Sequence, residues 1–163
     1  MSARKLLSLV FIRKQQEILL GLKKRGFGQG KWNGFGGKVE PNETILQGAI
    51  REVKEECGLN AMDLRKIGLL EFEFEGDPTA LEVHVFETYK FNGDVVESDE
   101  MRPQWFDLKH IPYEKMWPDD EIWFPYMLRD EPFKGYFLYR GIDLIVKHRL
   151  ERLDLTIKDT SKG

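Results

Sequence analysis

Residues 44–58 constrain the fold more than any other stretch, because they read as a helix with one apolar face and one acidic face. Thr44 and Gln47 have the spacing of a capping box, and Gly58 stands where the residue after a helix C-terminus would. Ile45, Ala49, Val53 and Cys57 recur every four residues and make a stripe that must pack on something. At about 100° per residue, Glu55 and Glu56 fall on the same arc as Glu52, beside that stripe. Like charges so close destabilise a bare helix by about 0.2–0.5 kcal/mol per pair, which something positive should offset. Arg51 and Lys54 would do so on a merely solvated face, the better reading of an acidic triplet taken alone. The other reading is a hard divalent cation, Mg²⁺ or Mn²⁺, which takes oxygen ligands and completes its shell with water and phosphate.

The flanking sequence supplies a sheet for the apolar stripe. Residues 6–12, 18–22, 69–75, 81–91 and 104–108 are predicted strands; much of 69–75 (LLEFEFE) and 81–91 (LEVHVFETYKF) alternates apolar with polar. Turns fall at Lys14 to Glu17 and at Gly76-Asp77-Pro78. Between Lys23 and Lys38 the chain reads KKRGFGQGKWNGFGGK. Its six glycines indicate a loop that turns sharply or approaches a ligand closely. A second helix is expected from Asp119 or Asp120 to about Arg129, with Pro125 in its first turns. A closing hairpin, residues 133–140 and 143–155, turns at Gly141. Strands, helix, strands, helix, strands describe an α+β protein, a mixed sheet with helices on its faces. The 163 residues contain no linker or repeat and suit one domain, 1–163. Residues 6–12 follow Arg4 and Lys5 but are rich in strand formers, so they read as a first strand and not a targeting segment.

Composition narrows the partners. The net charge of −3 gives no basic field for a nucleic acid polymer. No apolar run approaches the ~20 residues of a membrane span. Cys57 is the single cysteine, so no internal disulfide forms and a cytoplasmic location is expected, with mitochondrial or nuclear pools also compatible. Cys57 itself belongs to the packed side of the helix, and His84 to strand packing. A monomer is the default. Eleven Phe, five Tyr and four Trp exceed what such a core needs, so some are expected to line a site for a flat ligand.

One pattern reverses the solvated-face reading. GKVEPNETILQGAIREVKEECGL fits G-x₅-E-x₇-R-E-U-x-E-E-x-G-U, with U aliphatic, at Gly37, Glu43, Arg51, Glu52, Val53, Glu55, Glu56, Gly58 and Leu59. Seven fixed residue types coincide by chance on the order of once in a million such chains. This is the Nudix box, residues 37–59, and the chain resembles the Nudix hydrolases. The resemblance implies an α/β/α sandwich, a loop–helix–loop box, and Mg²⁺-dependent hydrolysis of a nucleoside diphosphate linked to another group, with Mn²⁺ as a substitute. By position, Glu52, Glu55 and Glu56 would be the catalytic, metal-binding carboxylates, helped by a backbone carbonyl near Gly36 or Gly37. Glu43 and Arg51 would tie loop to helix. Glu100 is the candidate for a further ligand or general base, with Glu52 its rival as base.

The box does not select a substrate. Beyond it, KKRGFGQGKWNGFGGKV, EFEFEGDPTALEVHVFET, VESDEMRPQWF, MWPDDEIWFP and KGYFLYRG are similar to the animal-type branch of the family that hydrolyses oxidised purine nucleoside triphosphates. That likeness implies conversion of 8-oxo-dGTP, 2-hydroxy-dATP and related nucleotides to monophosphate and pyrophosphate, with attack at the β-phosphorus. Trp117 would stack on the purine, and Asn33, Asp119 and Asp120 would read its edge, with one of the two aspartates protonated. Phe27, Phe72, Phe74, Leu81, Trp123 and Tyr139 would wall the base pocket, with Ser8 at its floor and Lys23 near the sugar–phosphate end. From the residues alone, a Phe in an alternating strand is more often core, and Asp119 could serve only as a helix N-cap. ADP-ribose, a dinucleoside polyphosphate or a capped RNA is the alternative substrate. A binding domain without catalysis finds no support, since every box carboxylate is present.

Overall fold

A computed structural model describes residues 3–153. The chain runs β1 (Ala3–Arg13), β2 (Glu17–Lys23), β3 (Trp32–Asn33), β4 (Phe35–Lys38), α1 (Ile45–Cys57), β5 (Asn60–Met62), β6 (Arg65–Phe74), β7 (Thr79–Thr88), β8 (Lys90–Asn92) and β9 (Met101–Asp107). Short 3-10 turns at Leu108–His110 and Tyr113–Lys115 lead to α2 (Asp120–Leu128), β10 (Phe133–Arg140) and β11 (Leu144–Arg152). The main sheet has the order β11-β10-β6-β7-β1-β2-β3 and is mixed, because β1 pairs with β7 and β10 with β6 in parallel. β5 and β8 form a separate two-stranded ribbon.

β1 creates the opening. It pairs with β2 only at Ile12↔Leu19 and Arg13↔Ile18, after which the two strands diverge. β4 then takes over beside β1 from Leu7 to Val10, while β2 continues with β3 and β9. The period-2 alternation of β1 sends Val10 and Ile12 to one face, where they pack with Ala49, Val53 and Cys57 of α1. Phe11 points to the other face and meets Trp123 and Phe124 of α2. Each helix therefore covers one face of the sheet, as the sequence pattern predicts.

Several details differ from expectation. The glycine-rich stretch contains two short strands, β3 and β4, because its backbone pairs with β2 and β1 despite low strand propensity. The predicted strand 81–91 ends at Thr88, whose side chain bonds backbone at Met62 and Lys90 and starts the separate ribbon. The last predicted hairpin residues, 154 and 155, lie outside the described residues. Among the described residues no helix is long and apolar enough to cross a membrane.

Candidate active site

The helix bearing the acidic stripe is fixed at both ends. Thr44 Oγ1 accepts the Gln47 N–H at 3.0 Å, and Gln47 Oε1 accepts the Thr44 N–H at 2.8 Å, a complete capping box. Gly58 closes it at φ 83°, a left-handed conformation that suits glycine, and its N–H donates to the Lys54 carbonyl. Arg51 grips Glu43 with two bonds of 3.0 and 2.6 Å and also donates to the Lys38 carbonyl. That grip holds the Glu43 carboxyl at about 2 and ties the loop before α1 to the helix.

Within this frame the three glutamates of the stripe separate. Glu56 is 5% exposed, lines the cavity, and accepts the Gly36 N–H at 3.0 Å. Burial, then the neighbouring Glu52, pushes its carboxyl up to about 8. Glu52 is also raised, chiefly by burial, while Arg51 beside it at 3.3 Å opposes the rise. Glu55 faces outward and pairs with Arg51 at 3.1 Å. Gly36 and Gly37 are required by close approach. A Cβ on Gly36 would sit 1.9 Å from the Ser8 carbonyl oxygen, and one on Gly37 would sit 2.5 Å from Glu52 Oε2. Glu100 accepts from Arg25 Nε at 2.9 Å and stands 3.5 Å from Lys23 Nζ. Arg25 first, then Lys23, holds the Glu100 carboxyl below its ordinary range.

Among the described residues no three Asp, Glu, His or Cys side chains are gathered at ligating distance, because Arg51 draws Glu52 and Glu55 to itself. The donor chemistry nevertheless fits a hard divalent cation. Glu56 is a buried carboxylate kept from ionising by the lack of compensating charge, and the remaining donors nearby are carboxylate and peptide oxygens.

Glu56, Trp117, Asp119 and Asp120 all line one cavity of about 300 Å³. Ser8, Lys23, Phe27, Asn33, Gly36, Gly37, Phe72, Phe74 and Leu81 also line it. Trp117 meets Phe27 at 5.1 Å and Phe74 at 6.4 Å between ring centroids, and Phe27, 61% exposed, forms the rim. Asn33 Oδ1 accepts the Gly34 N–H at 2.8 Å, so its NH₂ group is the donor it can offer a ligand.

The two aspartates, each 2% exposed, are not equivalent. Asp119 caps nothing with its side chain; it accepts from Trp123 Nε1 at 2.8 Å and from the Tyr139 hydroxyl, whose oxygen takes the Asp119 N–H at 3.1 Å. Those donors favour its ionised form against burial. Asp120 lacks them, and its Oδ2 has no partner. Burial raises both carboxyls, and the charge of Asp119 raises Asp120 further, well above the ordinary range.

Trp123 and Tyr139 are thus not among the cavity walls. Both are fully buried behind it, where they orient Asp119. Glu52, Glu55 and Glu100 are also outside the lining. Lys31, Gly28, Leu70, Val83 and Met101 line the cavity without having been singled out from sequence. The alternation that places Phe72 and Phe74 inward also places Leu70 there, two residues earlier. Lys31 had no such signal. Cys57 is buried in the core under α1, and His84 bonds Glu82 and Lys66 on the sheet.

The NUDIX domain model matches residues 4–127. The chain is 52% identical to the oxidized purine nucleoside triphosphate hydrolase of Danio rerio and 48% identical to that of Mus musculus. Each match covers 94% of this chain and 99% of the relative. The fold superposes on the crystal structure of the MutT protein from Bacillus halodurans with a TM-score of 0.81. That match covers 90% of this chain and 97% of the other; at 24% identity it speaks to the fold alone. With the box in place on a capped helix, the mixed sheet between two helices and this match across most of its length, the chain belongs to the NUDIX family.

Proposed function

We propose that this protein hydrolyses oxidised purine nucleoside triphosphates, 8-oxo-dGTP and 2-hydroxy-dATP among them, to the monophosphate and pyrophosphate, and so clears the nucleotide pool. The observation that carries this reading is a single cavity lined both by the buried Asp119–Asp120 pair, which we read as its base end, and by the buried Glu56, which we read as its phosphate end. A purine fits the first end and a polyphosphate reaches the second. The relatives of the same name, similar over nearly the whole chain, support it.

Trp117 supplies the stacking plate; Asn33 and the unpartnered Oδ2 of Asp120 supply the edge contacts, and Ser8, whose buried Oγ also lacks a partner, stands at the floor. Lys23 meets the phosphates. Glu56 and Glu52, with Glu55, Glu100 and a peptide oxygen near Gly36 or Gly37, would hold the divalent cation, Mg²⁺ with Mn²⁺ as its substitute. When bound, that cation neutralises phosphate charge and acidifies a water. Glu52, raised toward neutrality, suits the general base better than Glu100, which Arg25 and Lys23 keep ionised and weakly basic. β10–β11 extends the same sheet beyond the matched residues, which supports a single domain 1–163, and a monomer is the default expectation. A cytoplasmic pool is the expected place of action.

Steady-state rates with Mg²⁺ on 8-oxo-dGTP, 2-hydroxy-dATP, dGTP and ADP-ribose test this. The expected result is kcat/KM at least tenfold higher (about 1.4 kcal/mol) for the oxidised purines, with pyrophosphate released. Equal values for dGTP and 8-oxo-dGTP would overturn it.

A further inference from the structure

Lys31 lines the base end of the cavity, and its ammonium group is held on two sides. Nζ lies 2.9 Å from Asp143 Oδ1, in the turn between β10 and β11, and 5.3 Å from the centroid of the Trp117 ring. The side chain is 15% exposed, whereas Asp143 is 78% exposed, so the tether is anchored at the surface and the charge sits inward. The backbone is pinned too: the Lys31 N–H donates to the Gly28 carbonyl, and its own carbonyl accepts the Lys23 N–H. A fixed positive charge therefore stands beside the stacking plate, in the same cavity as the edge-reading carboxyls.

We propose that Lys31 is a positioning residue that sets which purine edge the Asp119–Asp120 pair prefers, an inference that rests on the function proposed above. A guanine-type edge presents an N–H at N1, which an ionised carboxylate accepts. An adenine-type edge presents a lone pair at N1, which needs a protonated carboxyl as donor. The groups facing Asp120 are Asp119, the phenols of Tyr113 and Tyr139, and Lys31; Glu121 follows it on α2. Asp119 and burial favour the protonated form, and Lys31 opposes them by direct charge interaction. Lys31 thus shifts Asp120 toward the ionised form and the guanine-type edge. Its contact with Trp117 carries the same charge to the face of the plate.

The test uses the intact enzyme with Mg²⁺ and compares 8-oxo-dGTP with 8-oxo-dATP across pH for wild type, Lys31→Met, Lys31→Arg and Asp143→Asn. Lys31→Met should lower the ratio of kcat/KM values, guanine-type over adenine-type, by about threefold to tenfold, chiefly through KM. It should also move the alkaline decline of 8-oxo-dATP turnover to higher pH by up to about one unit. Lys31→Arg should keep the wild-type ratio, and Asp143→Asn should fall between. Lys31→Gln replaces Lys31→Met if the latter does not fold. An unchanged ratio and pH profile, an equal loss on both substrates, or Lys31→Arg behaving like Lys31→Met would each overturn the assignment. A wild type that treats dGTP and 8-oxo-dGTP alike would instead defeat the underlying function, and the two failures are distinguishable.

Discussion

The two ends of the cavity both bury carboxylates, and they resolve the resulting electrostatic cost differently. At the phosphate end, Glu56 is pushed up to about 8 and accepts one peptide N–H. Among the described residues no cationic side chain forms an ion pair with it, and Lys23 lowers its carboxyl only in part, so the site suits a positive charge arriving from solution. At the base end, Asp119 takes donors from Tyr139 and Trp123, while Asp120, without those donors, is raised well above the ordinary carboxylate range by burial and by Asp119. In the function proposed above, a cation would complete the first end, whereas the protein's own donors complete the second. This difference suits their tasks. A phosphate site benefits from an ion that neutralises several charges, whereas a base-reading site needs directional donors and acceptors fixed before the ligand arrives.

The comparison can be broken at its phosphate end first. Glu56→Gln keeps the shape but removes the carboxyl group that would ionise to bind a cation. We expect kcat to fall by about 10²–10⁴-fold, while nucleoside monophosphate binding, read by Trp fluorescence, stays within about twofold. A comparable loss of nucleoside binding would mean that the two ends do not act separately.

Asp119→Ala attacks the self-sufficient end. It leaves the Tyr139 hydroxyl and Trp123 Nε1 without acceptors in the core, at a cost of about 2–4 kcal/mol in chemical denaturation. Asp120→Asn, which leaves Tyr139 and Trp123 their acceptor on Asp119, should cost far less stability yet change discrimination among purines. Equal destabilisation by the two would contradict the division of labour between them.

The smallest effect concerns pH in a chelator. Glu56 binds its proton more tightly in the folded chain, at about 8, than at its ordinary value of 4.5. The folded state therefore carries the extra proton between those values, and stability contributed by this group is lost as pH rises through that window. Melting temperature without metal should therefore fall across that window. Added Mg²⁺ should restore more at the alkaline end than at the acid end. A metal-free melting curve as steep in Glu56→Gln as in wild type would assign the effect elsewhere.

Much of the phosphate end is legible in the chain because it is local. The capping box, the Gly58 stop, the apolar stripe, the Glu43–Arg51 clamp and the acidic arc all lie within 37–59, and helical geometry alone relates them. Spacing could not tell Glu56, which the fold buries, from Glu55, which Arg51 draws to the surface. That outcome depends on where β4 passes, since the Gly36 N–H is what Glu56 meets.

The base end is the reverse case. Trp117, Asp119 and Asp120 are adjacent in sequence, but what makes them a site comes from β3, β6, β10 and the glycine-rich loop. Tyr139 and Trp123 belong to the site from sequence resemblance, yet only packing shows that they stand behind it and hold Asp119. Lys31 is one lysine among several in a glycine-rich stretch until the β10–β11 turn brings Asp143 to it across 112 residues. The sequence by itself determined the helix and its charged arc, because those follow from periodicity within one element, and the box pattern laid on that element carried the family. The tertiary structure decided which carboxylates lose water and which charges face them, because desolvation and through-space charge depend on neighbours far away in the chain.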